Sequence, residues 1–550
     1  MRLGLVHFPA TRNFSGSSLP NERRARPCPV YASASASSGS GGHRLLPKRD
    51  RPWVTMDGMS SAEPLVVTLD VGTSSVRTLL FDACGRQQNG FGEQIRYQFT
   101  TTADGGVELE ADQLLDVSLR SLFTIEEQLR AAGLKPSAVG FSSFWHSLLG
   151  VDRAGKPTTP LLHLFDTRSA KQVRELEQRL DPKRVHARTG CVLHSSYWPG
   201  KLLWLSETRP DAFRATDRWI SFGEYLYLKL FGVATASTSM VSATGLWNQA
   251  SNNYDDEVLS ALSVDKLHLC PLGEMDHAQS ELLAPYLGRL AALHGIPWFP
   301  ALGDGACDSL GSGCVTPDRF ALMVGSSGAL RAVCQPAVSL PYGLWCYRVD
   351  RSRFVLGGSV SNGGEVYDWM HRTFALPDPV ETEKQLEALT PGTHGLLLLP
   401  FLAGERSPYW RSDLRAAITG LGLSTRPIDI LEAALESVAL RFLEIYGLMA
   451  KSLGQPGTLI ASGGGLLRSP AWTQMMADAL GLPVTTCLEP EATSRGAALL
   501  ALERLGVIKG VDETAPRLGA VHQPRSEYRA VYADLLSRQR LLFQKLFSEN

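Results

Sequence analysis

Two kinds of residue in this chain could handle a phosphate and a hydroxyl: acids set among small residues, and glycine-rich turns between apolar runs. The stretch Ala301 to Gly313, ALGDGACDSLGSG, holds Asp304 beside Gly303, Gly305 and Ala306, with no helix breaker from there to Gly311. A carboxylate fixed at the start of a helix, with small neighbours that let a ligand approach, can take the proton of a hydroxyl. The same placement also suits a helix cap, for which aspartate is favoured. On this segment alone both roles stand.

The second element opens after Pro64, in LVVTLDVGTSSVRTLLF. The pattern predicts a strand at Leu65 to Leu69, a turn at Asp70 to Ser75 and a strand at Val76 to Phe81, together a hairpin. Gly72, Thr73, Ser74 and Ser75 offer bare backbone N–H groups and hydroxyls that could cradle phosphate oxygens. Asp70 at its mouth could hold Mg²⁺ through water, since that ion keeps most of its hydration shell. An ordinary hairpin tip would read the same way, and a second copy changes the balance. Phe320 to Cys334, FALMVGSSGALRAVC, repeats strand, turn and strand, with Gly325, Ser326 and Ser327 at the tip, 253 residues after Gly72. Such spacing points to a duplicated domain.

The elements that must position these turns belong to a chain of 550 residues, 44% hydrophobic and 20% charged, enough for two or more cores. Its longest apolar runs, such as Leu396 to Leu402, suit buried strands and fall well short of the roughly 18 residues that a membrane span needs. Nine scattered cysteines without a C-x-x-C pair fit reduced thiols in a cytosol-like compartment, with neither zinc nor disulfides expected. The first 60 residues carry nine Arg or Lys against three acids and a Ser/Gly-rich run, so residues 1–63 are expected to be a disordered extension. It reads either as an organelle transit peptide or as sequence upstream of a start at Met56 or Met59, the second being preferred. Without those 60 the chain has 45 basic and 52 acidic residues, which argues against a nucleic-acid surface.

Two like domains, each turning a phosphate-gripping hairpin toward a shared cleft, would make an α/β protein with two ribonuclease-H-like (actin-like ATPase) domains. From about Pro64 to Gly510 the chain resembles the FGGY family of sugar and polyol kinases. That resemblance implies a sugar-binding domain at 64–313, a nucleotide-binding domain at 314–510 and a tail at 511–550 with a helix from Glu527 to Phe547. SSFWHS looks like the family's sugar-contacting loop and implies that Trp145 and His146 meet hydroxyls. HLFDTRS is similar to its Trp-x-Asp-x-Arg loop, with Leu164 in place of tryptophan, and implies substrate contacts from Asp166, positioned by Arg168. SYWPGKLLW resembles a further signature ending at Lys201, with Trp198 as a departure. GDGACDSLG matches the catalytic loop, making Asp304 the base that accepts the substrate proton as ATP is attacked, with Asp308 one turn on as support.

The nucleotide side is implied by VGSSG, followed by Arg331, by GGSVSNGG with Gly363, by PFLAGERSPYW, and by LIASGGGL. In the last, Gly463, Gly464 and Gly465 would let the nucleoside rest on the backbone before a helix at Pro470 to Leu480. A helix from Ile428 to Lys451 reads as packing. The cofactors implied are ATP and Mg²⁺, the metal resting on Asp70 and Asp304. SSFWHSLLGVD, DTRSAK and VGSSGALR are most similar to gluconate kinases, so the expected reaction is D-gluconate to 6-phosphogluconate, with Arg168 or Lys201 as the cation for the carboxylate. A pentulose such as xylulose or ribulose, and more remotely an actin-like ATPase without sugar kinase activity, are the alternatives. The partner expected is a small-molecule sugar or sugar acid, with no nucleic acid and no membrane. A homodimer is left open, and the compartment expected is the cytoplasm, or an organelle if the extension is a transit peptide.

Overall fold

A computed structural model describes residues 63–335 and 339–547. Residues 1–62 of the extension expected to be disordered, Met56, Met59 and Cys28 with them, lie outside the described residues.

The first sheet is built from β1 (Val66–Val71), β2 (Ser75–Phe81), β3 (Gln87–Arg96), β4 (Ala138–Ser143) and β5 (Leu302–Gly303), in the order β5-β4-β1-β2-β3. β1 pairs antiparallel with β2 and β2 with β3, whereas β4 and β5 add on in parallel. All six residues of β1 are buried. That is why VVTLDV reads as a continuous run: a strand covered on both faces has no reason to alternate. Helices α1 (Ala111–Ala132), α2 (Trp198–Thr208) and α3 (Asp304–Gly311) belong to this half.

The second sheet takes β6 (Arg319–Val324), β7 (Gly328–Cys334), β8 (Trp345–Arg348), β9 (Phe354–Val360), β10 (Thr458–Ser462), β11 (Val484–Cys487) and β12 (Leu518–His522). Its order is β8-β9-β7-β6-β10-β11-β12. The pairing β9-β7-β6-β10-β11, antiparallel on the hairpin side and parallel on the other, repeats β3-β2-β1-β4-β5. The duplication read from two hairpins is therefore a duplication of whole sheets.

Helix α4 (Pro427–Leu453) lays Leu431, Leu435, Val438, Phe442, Ile445 and Met449 into the second core, each fully buried. At about 1.5–3 kcal/mol for each such side chain, this stripe is a principal packing element of the half. Helix α5 spans Pro470–Leu480, as expected from sequence, started by the Ser469 side chain accepting the Trp472 N–H. Helix α6 (Ala492–Arg504) lies in sequence between β11 and β12 of the second sheet yet packs on the first. A β-carbon on Gly311 of α3 would come 1.7 Å from the Ala492 carbonyl oxygen, and one on Gly496 of α6 would come 1.9 Å from that of Cys307. Only glycine lets these two helices touch backbone to backbone. Beyond Gly510 the chain does not trail off. β12 edges the second sheet, and α7 (Arg529–Phe547) buries Tyr532, Leu535 and Gln539, whose amide bonds Arg441 and the Leu398 carbonyl.

Candidate active site

A cavity of about 190 Å³ opens between the two sheets, with Thr73 from the β1–β2 tip and Ser327 and Gly328 from the β6–β7 tip on its wall. The first tip is closed by the Gly72 N–H donating to the Ser75 carbonyl at 3.0 Å and by the Tyr97 hydroxyl donating to the Gly72 carbonyl, which leaves Thr73 and Ser74 exposed. Behind the second tip three glycine segments meet. The Gly363 and Gly364 N–H groups donate to the carbonyls of Ser326 (3.0 Å) and Gly325 (2.7 Å). Gly463, at φ +85°, sits where a β-carbon would be 2.4 Å from the Val324 carbonyl, and Gly364 faces Gly465. The expected Gly325–Ser327, Gly363 and Gly463–Gly465 are thus brought into one cluster.

Asp304 reaches the same cavity from the first turn of α3. Gly303 holds the cap position and makes no side-chain cap bond, and Asp304 Oδ1 accepts the adjacent Gly305 N–H at 2.8 Å, so the capping role is not taken. Burial raises its carboxyl above the usual range, with the Arg331 guanidinium working against the rise. Arg331 is itself held by Asp308, Nη1 to Oδ2 at 2.6 Å, so Asp308 acts on the site through this arginine. Asp70, at the end of β1, is pushed up to about 7, chiefly by burial, against Arg77 and with the charge of Asp304 adding to it. Arg77 lies 3.5 Å from its Oδ2, the Ser142 hydroxyl is close by, and Oδ1 is buried with no hydrogen-bond partner of good geometry among the described residues. Two mutually repelling carboxylates, one with an orphaned oxygen, fit a hard cation such as Mg²⁺ that keeps several waters.

The opposite wall is aromatic. Trp345 and Tyr347 from β8 stack at 4.4 Å, Trp145 meets Tyr347 at 5.0 Å, and the Tyr197 and Tyr347 hydroxyls share a 2.6 Å bond. Trp145 is anchored by its indole N–H to the Ser239 carbonyl at 3.0 Å. His146 adopts φ +68°, rare for a residue with a side chain, and its Nδ1 donates to the Ala243 carbonyl at 2.7 Å. Burial brings this imidazole down to about 3, so it is neutral, and Nε2 is left as an acceptor for a hydroxyl. Lys201 supports it from α2, Nζ donating to the His146 carbonyl at 3.0 Å, and burial brings that ammonium down to about 7.

Three sequence expectations need correction. Asp166 does not face the cavity: its carboxylate accepts the Val107 N–H at 3.0 Å and Arg168 Nη2 at 2.6 Å. Arg168 also bonds Glu108 at 2.6 Å and lies 4.5 Å over Trp204, so its charge is taken up by two carboxylates and the pair fastens its loop. Lys201 is fully buried on a backbone carbonyl and does not line the cavity, so it is no receptor either. In the same loop it is Leu164 and Phe165 that reach the wall. Sequence reasoning gave no role to Tyr197, Trp345, Tyr347, Arg406 or Trp410, all on the wall. Tyr197, Arg406 and Trp410 lie inside quoted motifs, which was the available signal; β8, which carries Trp345 and Tyr347, has none.

Residues 65–311 match the N-terminal domain of the FGGY family of carbohydrate kinases, and residues 321–503 match its C-terminal domain. A gluconokinase of Bacillus licheniformis is 29% identical over 491 residues, covering 85% of this chain and 93% of its own. Among solved structures, a gluconate kinase from Lactobacillus acidophilus superposes with a TM-score of 0.83 at 24% identity, covering 89% of this chain and 99% of its own. A ligand-bound xylulose kinase from the same organism also reaches 0.83, at 25% identity, with 88% and 99% covered.

Proposed function

The chain belongs to the FGGY family of carbohydrate kinases, and on that premise we propose that it transfers the γ-phosphoryl group of ATP to a hydroxyl of D-gluconate, giving 6-phosphogluconate. The observation that carries this reading is the sharing of one cavity by Asp304, both hairpin tips and a polyol-sized aromatic wall bearing a neutral histidine. Phosphoryl transfer asks little covalent help of a protein; alignment, charge neutralisation and one base suffice. Asp304 accepts the proton of the attacking hydroxyl, and its raised affinity for a proton favours that step. Backbone N–H groups at the Gly72 and Gly325 tips hold phosphate oxygens, and the glycine cluster of 363 and 463–465 receives the nucleoside. Asp70 and Asp304 would hold Mg²⁺, which when bound neutralises phosphate charge.

Gluconate is preferred over xylulose because of the relatedness to gluconokinase and because Arg406, which has no carboxylate within ion-pair distance among the described residues, lines the polyol wall. The test is ADP release coupled to a panel of gluconate, xylulose, ribulose, glycerol and no sugar. Gluconate should give the highest kcat/KM; activity on a pentulose alone would replace it, and hydrolysis independent of sugar would leave an actin-like ATPase.

A further inference from the structure

Arg406 differs from the other arginines at this site. Arg331 is neutralised by Asp308 and Arg168 by Asp166 and Glu108. Arg406 has no carboxylate within ion-pair distance among the described residues. Nη2 donates to the Val360 carbonyl at 3.0 Å, Nη1 makes no hydrogen bond among those residues, and Nε is buried with no partner. Its neighbour Glu405 does not compensate it, because burial pushes that carboxyl up to about 8 and its main cationic neighbour is Arg441. A half-buried guanidinium with one carbonyl as its hydrogen-bond partner among the described residues leaves donors for an anion, and its planar fork matches a carboxylate.

The anion could be the substrate's carboxylate or the phosphoryl group in transit, and the surroundings separate the two. The guanidinium whose charge acts on Asp304 is that of Arg331; a β-carbon on Gly305 would lie 3.2 Å from its Nε. Arg406 is near enough to Arg331 for the two charges to repel, and its one bonded carbonyl, Val360, pairs with Gly328 of the second tip, but the guanidinium lies 5.7 Å over the Phe165 ring and its charge acts on His146, His194, Tyr197 and Tyr347. It belongs to the polyol wall. We propose that Arg406 receives the carboxylate of a sugar acid, so that the hydroxyl at the other end of the acid's chain is offered to Asp304, and that this residue selects sugar acids over neutral polyols. The assignment rests on the phosphoryl-transfer reading above and deepens it.

The test compares gluconate with gluconamide, the same chain without the charge, in the wild type, Arg406→Gln and Arg406→Lys. The wild type should favour gluconate by about 10–100-fold in KM, the worth of a charged hydrogen-bonded pair. Arg406→Gln should handle the two alike, chiefly by a raised KM for gluconate, and Arg406→Lys should keep part of the preference. Should Arg406→Gln fail to fold, the wild-type ratio and the lysine variant decide the question. If gluconate is phosphorylated and Arg406→Gln keeps the preference, or loses ATP affinity in place of it, this assignment alone is overturned. If the wild type phosphorylates neutral ketoses and no sugar acid, the gluconate reading fails first and takes the assignment with it.

Discussion

The indole of Trp145 occupies the space that a side chain on Gly303 would need: a β-carbon there would lie 1.8 Å from Cε2. The residue before the proposed base is therefore a glycine because the aromatic wall leans on it. Gly303→Ala should displace Trp145, Asp304 or both, lowering kcat/KM for the sugar by at least about tenfold, as misplaced reacting groups do. Steady-state kinetics and tryptophan fluorescence would check this, and unchanged values of both would contradict it.

Asp304→Ala should lower kcat by about 10²–10⁴, the usual worth of a positioned general base. Calorimetric titration should find ATP affinity largely kept. Near-normal turnover would remove Asp304 from the role of base.

Asp166→Asn should be a stability variant. It breaks a pair whose side chains are 2% and 5% exposed, and removing one partner of a buried pair costs about 3–5 kcal/mol. Urea denaturation should record a loss of that order, while KM for the sugar moves little in protein that remains folded. A large KM effect with intact stability would restore Asp166 to the substrate.

Glu432 gives a pH signature distant from the cavity. Burial, with Glu436 beside it, pushes this carboxyl up to about 8. Because the folded value lies above the ordinary one of about 4.3, its stabilising contribution is complete below that value and is lost as pH rises toward 8. Glu432→Gln should therefore melt higher than the wild type at pH 8, with the gap closing toward pH 5. Melting curves at both values decide it, and a gap widening toward pH 5 would contradict the sign.

What could be read from sequence was local. Hairpin tips, Asp304 beside its glycines and the helix at Pro470 all announce themselves within a dozen residues, since turn chemistry and helix signals act over that range. Orientation did not announce itself. Asp166 looks like a ligand until Val107 and Arg168 are seen to use its oxygens. Tyr347 sits on a strand with no motif, and reaches the wall only because its sheet crosses to the other half, where the Cys346 N–H donates to the Gly190 carbonyl at 2.9 Å. Arg406 stands inside a quoted motif, yet its lack of a partner is a property of everything around it.

The backbone contact between α3 and α6 sets a timetable for synthesis. When a ribosome has released the first half, the helix bearing Asp304 still lacks the neighbour that Gly311 and Gly496 admit, and that neighbour is nearly 200 residues from being made. The packing around Asp304 is therefore completed only once residues 492–504 exist, and a polypeptide terminated anywhere before Ala492 would present a bare flank on its first sheet to the protein quality-control machinery.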